Sequence, residues 1–350
     1  MSPLDTAQST DALPPQSTFM QMVNGYWISQ AIYVAAKLGI ADLLKESAKH
    51  CDELATATGA NARSIYRLLR GLASIGLFTE TEPSCFALTT LAHYLRSDTP
   101  DSLRATAIMS GEEHYSAWGE LLYSVQTGEN AFEHVHGMQI FPYYAQNSEA
   151  AQIFDQAMTS YSSTEVKGVV ASYDFSSTQT LVDIAGGHGS LLASILEANP
   201  HLKGILFDQP SVIAGAKPSI ATSGIADRCE MIAGNFFESV PAGGDTYILK
   251  HIIHDWGDEQ AVTILKHCHQ VIPEQGKLLV VEQVIPPGNK PFMGKFLDLN
   301  MLVMSPGACE RTEAEYQVLF KRAGFQLTQF FPTQTFVSVI EGVRLPLENV

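Results

Sequence analysis

The spacing of apolar residues divides the chain into a helical first half and an alternating second half. From Phe19 to Leu44, residues Met22, Trp27, Ile28, Ile32, Ala35, Leu38 and Leu43 fall at mixed spacings of three and four, which predicts helix. The run is apolar over more than one face, and such a helix is usually buried, here against another subunit. Cys51 to Gly59 and Ala60 to Arg70 predict a helix, a glycine turn and a second helix. Gly76–Glu80 and Cys85–Thr89 then predict a short hairpin, so the order is that of a winged helix. Residues 111–170 keep helical patterning and carry many aromatics, among them His114, Tyr115, Trp118, Phe132, Phe141, Tyr143, Tyr144, Phe154, Met158 and Tyr161. That stripe suits a core or a substrate lid equally. From residue 179 strand and helix alternate, with strands expected at 180–185, 204–208, 229–233, 245–250 and 277–284 and helices at 189–199, 258–272 and 312–323. Phe325–Phe331 and Thr335–Ile340, joined by Pro332, Thr333 and Gln334, predict a closing hairpin, so the second half is an α/β fold with a mostly parallel sheet.

Candidate chemistry gathers where strands end. Leu181 to Ile184 runs into Ala185-Gly186-Gly187-His188-Gly189 and then a helix, the corner at which an α/β sheet cradles a nucleotide. The corner fits a dinucleotide enzyme, an S-adenosylmethionine enzyme or a tight structural turn. A dinucleotide fingerprint requires a third glycine where this chain has Leu192. Ile205 to Asp208 is an apolar strand ending in an acid, placed to accept hydrogen bonds from ribose hydroxyls or to cap a helix. Ala233-Gly234-Asn235-Phe236-Phe237 ends the third strand, where an amide can meet an adenine amino group and a phenyl ring can cover it. Lys250 to Trp256 carries a strand into two histidines, Asp255 and a tryptophan, and His254 is placed as a general base. Glu282 after the next strand and Glu310 ahead of a helix are acids that would orient an imidazole and raise its pKa. His267, Cys268 and His269 cluster on a predicted helix, but adjacent positions diverge in direction, so no metal site is expected.

Bulk properties narrow these readings. The formal net charge of −16 opposes extended contact with nucleic acid or an anionic membrane. Arg63, Arg67 and Arg70 nevertheless share a face of the second winged-helix helix, the feature a ligand-sensing DNA-binding regulator would use. Residues 1–17 are polar, lack the features of a signal peptide and read as a flexible tail. No window approaches 18 uninterrupted apolar residues, and the 5 scattered cysteines fit reduced thiols in a cytoplasmic protein.

Together the Asp183–Gly189 turn, the His254-Asp255-Trp256 triplet and Gly307-Ala308-Cys309-Glu310-Arg311-Thr312 make the chain resemble the plant-type and bacterial S-adenosylmethionine-dependent small-molecule O-methyltransferases over about residues 18–342. The resemblance implies a winged-helix-like dimerisation domain (18–110), a helical linker or lid (111–170) and a Rossmann-like cofactor domain (171–350), in an intertwined homodimer. It implies that Asp183, Gly186, Gly187 and Gly189 cradle the methionyl end of the cofactor, that Asp208 binds the ribose and Asn235 and Phe236 the adenine, and that Lys250 and Ser162 line the site. His254 would be the base, flanked by Glu282 and Glu310, with Met158, Asp255, Asp298, Asn300 and Met301 lining the acceptor pocket and S-adenosylhomocysteine as the product cofactor. The acceptor implied is a hydroxyl of a small aromatic or cyclic molecule. A relative drifted to hydroxylation or decarboxylation is the alternative. Ala185 stands where a glycine is common, Asn235 where an aspartate is usual, and Ser305 and Ala308 replace phenol-binding residues of the plant enzymes, so a phenylpropanoid acceptor does not carry over.

Overall fold

The computed structural model describes residues 14–346, which form two compact units, one ending at Glu113 and the other beginning at His114. Most of the expected tail lies outside the described residues, but its last part does not, because a helix already starts at Pro15. The single helix expected from Phe19 to Leu44 is three: Pro15–Val23, Gly25–Lys37 and Ile40–Leu43. Asn24 and Gly39 cause the breaks, Gly39 through a left-handed φ of 64°. The apolar face that should be buried is bare in the single chain, with Phe19 64% and Trp27 59% exposed.

Helices Cys51–Thr58 and Ala62–Ala73 follow as expected. His50 and Glu53 form a capping box on the first, and Asn61 Oδ1 accepts from Ser64 N at 3.0 Å on the second. Ile65, Leu69 and Leu72 bury one face of the second helix, while Arg63, Arg67 and Arg70 lie exposed. Strand Cys85–Leu88 pairs on one side with Phe78–Glu82 and on the other with Lys49–His50, adding a strand the sequence pattern did not mark.

The second unit is built on a seven-stranded sheet. Its strands are β1 Thr180–Ile184, β2 Lys203–Asp208, β3 Cys229–Ala233, β4 Thr246–Lys250, β5 Lys277–Glu282, β6 Phe325–Pro332 and β7 Ser338–Arg344. The order is β3-β2-β1-β4-β5-β7-β6, parallel from β3 to β5 and antiparallel in the terminal hairpin. Alternate residues serve opposite faces, as the two-residue strand period requires. Val182, Phe207, Leu249 and Val280 pack beneath helices Asp258–Val271 and Glu313–Arg322. Leu181, Leu206, Ile248 and Leu279 pack beneath helices Ser148–Ser172, Ser190–Ala198 and Pro210–Thr222. Each such side chain contributes about 1.5–3 kcal/mol of burial, so both faces must be covered for the sheet to hold.

Two helices escaped the pattern, Pro210–Thr222 and Gly294–Met304. The terminal hairpin also turns later than expected. Thr333 N donates to Val337 O at 3.2 Å, and the hydroxyls of Thr333 and Thr335 bond to each other, so the turn spans 333–337 and Thr335 is not in a strand. The aromatic stripe divides. Phe132 and Tyr144 join Ala117, Ile140, Val303 and Met304 in a core, whereas Tyr115, Phe141, Met158 and Tyr161 stay exposed. Among the described residues no helix is long and apolar enough to cross a membrane, and all of the cysteines are free.

Candidate active site

The glycine turn caps β1 at the carboxyl edge of the sheet. Ala185 and Gly186 donate their N–H groups to Phe207 O, which forces the chain to reverse over β2. Gly187 and Gly189 have φ of 60° and 80°. Nothing lies within 4 Å of where a Cβ on Gly187 would stand, so one face of the turn is open to a ligand. Ala185 also sits at a positive φ, 55°, so the alanine in place of a glycine is not a small change; it carries about 1–2 kcal/mol of backbone strain. Leu192, at the position of the absent third glycine, is fully buried, and its Cδ1 would lie 2.9 Å from a Cβ on Gly204. The small residue that lets helix and sheet approach has moved from the helix to β2.

Beside this turn Asp208 Oδ2 accepts from Gly187 N at 2.9 Å and its Oδ1 from Gln209 N at 2.7 Å. Each oxygen retains a second lone pair, so the carboxylate can still accept from a diol. Asn235 Oδ1 accepts from Phe237 N at 3.0 Å, and the Phe236 ring meets Trp256 edge-on. Asp183 is 1% exposed, and its Oδ2 has no hydrogen-bond partner. Burial, with Asp208 adding to it and Lys250 opposing, pushes its carboxyl up to about 7. A buried orphan acceptor, an open glycine face and a half-free acid on the neighbouring strand suit a cationic, hydroxyl-bearing ligand.

The Asp183 proton also has a stability consequence. Between the ordinary carboxylate range and pH 7 the folded state binds a proton that the unfolded state has lost, so stability falls as pH rises through that window. Asp183→Asn is expected to raise the melting temperature of the ligand-free protein most at about pH 8.5 and by about half as much at about pH 5.5, midway through that window. Thermal unfolding at the two pH values checks this, and an equal effect at both would rule it out.

His254 lies on a one-turn helix, Ile253–Asp255, just after β4. Glu282, at the end of neighbouring β5, accepts through Oε1 from the N–H groups of Ile252, Ile253 and His254 at 3.0, 2.9 and 3.3 Å. Its Oε2 stands 3.4 Å from His254 Nδ1. Glu310 Oε1 is closer, 2.7 Å from the same nitrogen. Glu310 is held because its own N–H donates to Asp298 Oδ1 at 2.9 Å, while Cys309 N donates to His254 O at 2.9 Å. Arg311, 2% exposed, donates to Ile253 O, Trp256 O and Asp258 Oδ1 at 3.0, 2.8 and 2.8 Å, tying the turn together.

Burial alone would lower the pKa of the His254 imidazole. Glu282, the hydrogen bond to Glu310 and the charges of Asp255 and Glu310 outweigh it and raise the pKa to about 10. His254 and His251 hold Glu282 down against its own burial, whereas burial wins at Glu310 and lifts its carboxyl above the usual range. His254 Nε2 faces Asp255 Oδ1 at 3.6 Å, beyond a hydrogen bond. The imidazole is thus clamped at Nδ1 and able to exchange a proton at Nε2.

Lys250 Nζ lies 3.6 Å from Glu165 Oε2. Met158 and Ser162 sit on helix Ser148–Ser172, and Asp298, Asn300 and Met301 on helix Gly294–Met304. Asp298 is tied to Glu310 as described, and Asn300 Oδ1 accepts from Trp118 Nε1 at 2.8 Å. His267, Cys268 and His269 diverge: His267 Nδ1 meets Phe236 O, Cys268 is in the core, and His269 Nε2 meets Leu345 O. The structure instead assembles His251, His254 and Glu282, whose side-chain donor atoms lie within 4.8 Å of one another. In that group Glu310 already holds His254 Nδ1. His251 and Glu165 carry no role legible in the sequence pattern. A second histidine before the His-Asp-Trp triplet was the available signal for one, and nothing local marked the other.

The model of the O-methyltransferase domain matches residues 118–326, and that of the O-methyltransferase dimerisation domain matches residues 20–98. The chain is 49% identical over 331 residues to the phenazine O-methyltransferase PhzM of Lysobacter antibioticus, covering 95% of this chain and 97% of that one. The crystal structure of LaPhzM superposes with a TM-score of 0.90 at 49% identity, over 95% of this chain and all of the other. An O-methyltransferase from neocarzinostatin biosynthesis, NcsB1, solved with S-adenosylmethionine and 2-hydroxy-5-methyl naphthoic acid, superposes with a TM-score of 0.79 at 31% identity, over 91% of this chain and 96% of that chain. The chain therefore belongs to the S-adenosylmethionine-dependent O-methyltransferase family.

Proposed function

We propose that the protein transfers a methyl group to a hydroxyl of a small, planar, aromatic natural product, with His254 as general base. The observation that carries the reading is the 2.7 Å bond between His254 Nδ1 and Glu310, which fixes the proton on Nδ1 and leaves Nε2 to take one from the acceptor. The hydroxyl proton passes to Nε2 as the oxygen takes the methyl group, and the imidazolium that forms is met by Glu282 and Glu310. Asp183, Gly186, Gly187 and Gly189 hold the methionyl end of the cofactor, Asp208 its ribose, and Asn235 and Phe236 its adenine, with Lys250 and Ser162 at its edge. The cofactor supplies an electrophilic sulfonium methyl, so the residues need only position, desolvate and deprotonate the acceptor. Met158, Asp255, Asp298, Asn300 and Met301 line the acceptor side, and the helices of 114–170 close over it.

The bare apolar face at Met22 and Trp27, within the segment matched by the dimerisation model, is covered by a second copy of the chain. The relative at 49% identity is named for phenazine chemistry, which supports a fused aromatic acceptor. Incubation with S-adenosylmethionine and a panel of hydroxyphenazines and hydroxynaphthoates tests the assignment. Mass spectrometry should show product gaining one methylene per S-adenosylhomocysteine formed. Cofactor turnover yielding a hydroxylated or decarboxylated product would replace the methyl-transfer reading.

A further inference from the structure

The base described above uses three ionisable side chains, but five form one series, four of them buried and His251 half-buried. His251 Nε2 lies 2.8 Å from Glu165 Oε2, and His251 Nδ1 lies 3.4 Å from Glu282 Oε2. The same Glu282 oxygen is 3.4 Å from His254 Nδ1, which in turn meets Glu310. The two imidazoles stack with centroids 5.0 Å apart and planes 30° from parallel. Carboxylates and imidazoles therefore alternate in the order Glu165, His251, Glu282, His254, Glu310.

The geometry favours an imidazolium at His251: Nε2 hydrogen-bonds Glu165, and Nδ1, which makes no hydrogen bond, faces the Glu282 carboxylate. Each of its ring nitrogens faces an oxygen of a different carboxylate, and an ionised carboxylate only accepts. A neutral ring has one N–H and would turn a lone pair against one of the two anions. Only an imidazolium serves both. Its backbone is equally constrained, with φ of 55° for a non-glycine residue, and its N–H is held by Val281 O at 3.1 Å.

We propose that His251, held as an imidazolium between Glu165 and Glu282, is a positioning residue that takes up the charge of Glu282 so that His254 can exist as a neutral base. This rests on the assignment of His254 as the base. Without the His251 charge, Glu282 would act on His254 alone and bind its proton more tightly. The groups facing His251 are Glu165 from helix Ser148–Ser172, Lys250 from β4, Glu282 from β5, His254 and Asp255 from the one-turn helix, and Glu310 from the loop before Arg311. Burial lowers the pKa of the His251 imidazole, but the hydrogen bond to Glu165 and the facing Glu282 carboxylate raise it by more, as an imidazolium there requires.

The test uses His251→Asn in the full-length enzyme, because asparagine tolerates a left-handed backbone. The pH profile of kcat and an NMR titration of the His254 ring are both read. Removing a charge about 5 Å away should move the His254 titration and the rising limb of kcat upward by about one to two pH units. Glu165→Gln removes the anion bonded to His251 Nε2, so His251 loses its proton at lower pH, and with that charge gone both should move in the same direction by less. It also serves if His251→Asn does not fold. A loss of kcat that is equal at every pH, with the His254 titration unmoved, would mean that His251 is merely structural and overturns the proposal. Failure of the base assignment itself would look different. His254→Ala would then keep its turnover, while the ring titration would still report whether His251 governs His254.

Discussion

His254→Ala loses about 10²- to 10⁴-fold in kcat and still binds S-adenosylmethionine. The size of the loss is that of a positioned general base acting on a hydroxyl whose own pKa is near 10. Binding survives because the residues assigned to the cofactor lie on the glycine turn, β2 and the end of β3, not on the imidazole. The wild-type profile carries a second signature. With the His254 pKa raised to about 10, the ring is mostly charged at neutral pH and gains its free Nε2 only as pH rises. The rate should therefore climb through neutrality and level off toward pH 10, where base and phenol are matched in proton affinity. Glu310→Gln removes the carboxylate bonded to Nδ1, so its limb should move to lower pH. Steady-state rates with isothermal titration of the cofactor check these outcomes. A His254→Ala variant with near-wild-type turnover, or a flat wild-type profile, would remove the base.

How much of this was legible in the sequence depends on how local the cause was. Buried parallel strands read as apolar runs bounded by turn residues, so β1 to β5 lay within a residue or two of their expected limits. Helix Pro210–Thr222 was missed because Pro218 and Gly215 interrupt its apolar spacing, although its first turn tolerates Pro210. The break at Asn24 was missed because the apolar pattern runs through it. The proposed base, His254, and its two acids were legible as candidates because they sit at or near the ends of strands, where an α/β sheet presents its chemistry. Glu165 was not, since it lies mid-helix, 86 residues from the histidine it meets, and only the packing of that helix brings the two together. The reach of Leu192 over Gly204 is likewise a tertiary fact, and it explains how the turn does without the third glycine.

Arg311→Met destabilises the second unit by about 2–4 kcal/mol and lowers kcat by about 10- to 100-fold. The side chain is 2% exposed and donates to two backbone carbonyls of the His254 turn as well as to Asp258. Methionine fills comparable space but donates nothing, so the oxygens of Ile253 and Trp256 lose their charged partner, at about 1–3 kcal/mol each where they stay dry. For a unit of this size that corresponds to a fall of roughly 5–15 °C in melting temperature. The loss of rate follows because Arg311 adjoins Glu310 and braces the turn carrying His254, so acid and base drift apart together. The Asp258 side chain is 57% exposed, so its ion pair with Arg311 is screened by water. Asp258→Asn should therefore cost less than about 1 kcal/mol and leave kcat almost unchanged. Thermal unfolding and steady-state rates of the two variants separate the roles. Equal damage from both would show that the salt bridge, and not the pair of carbonyl bonds, holds the catalytic turn.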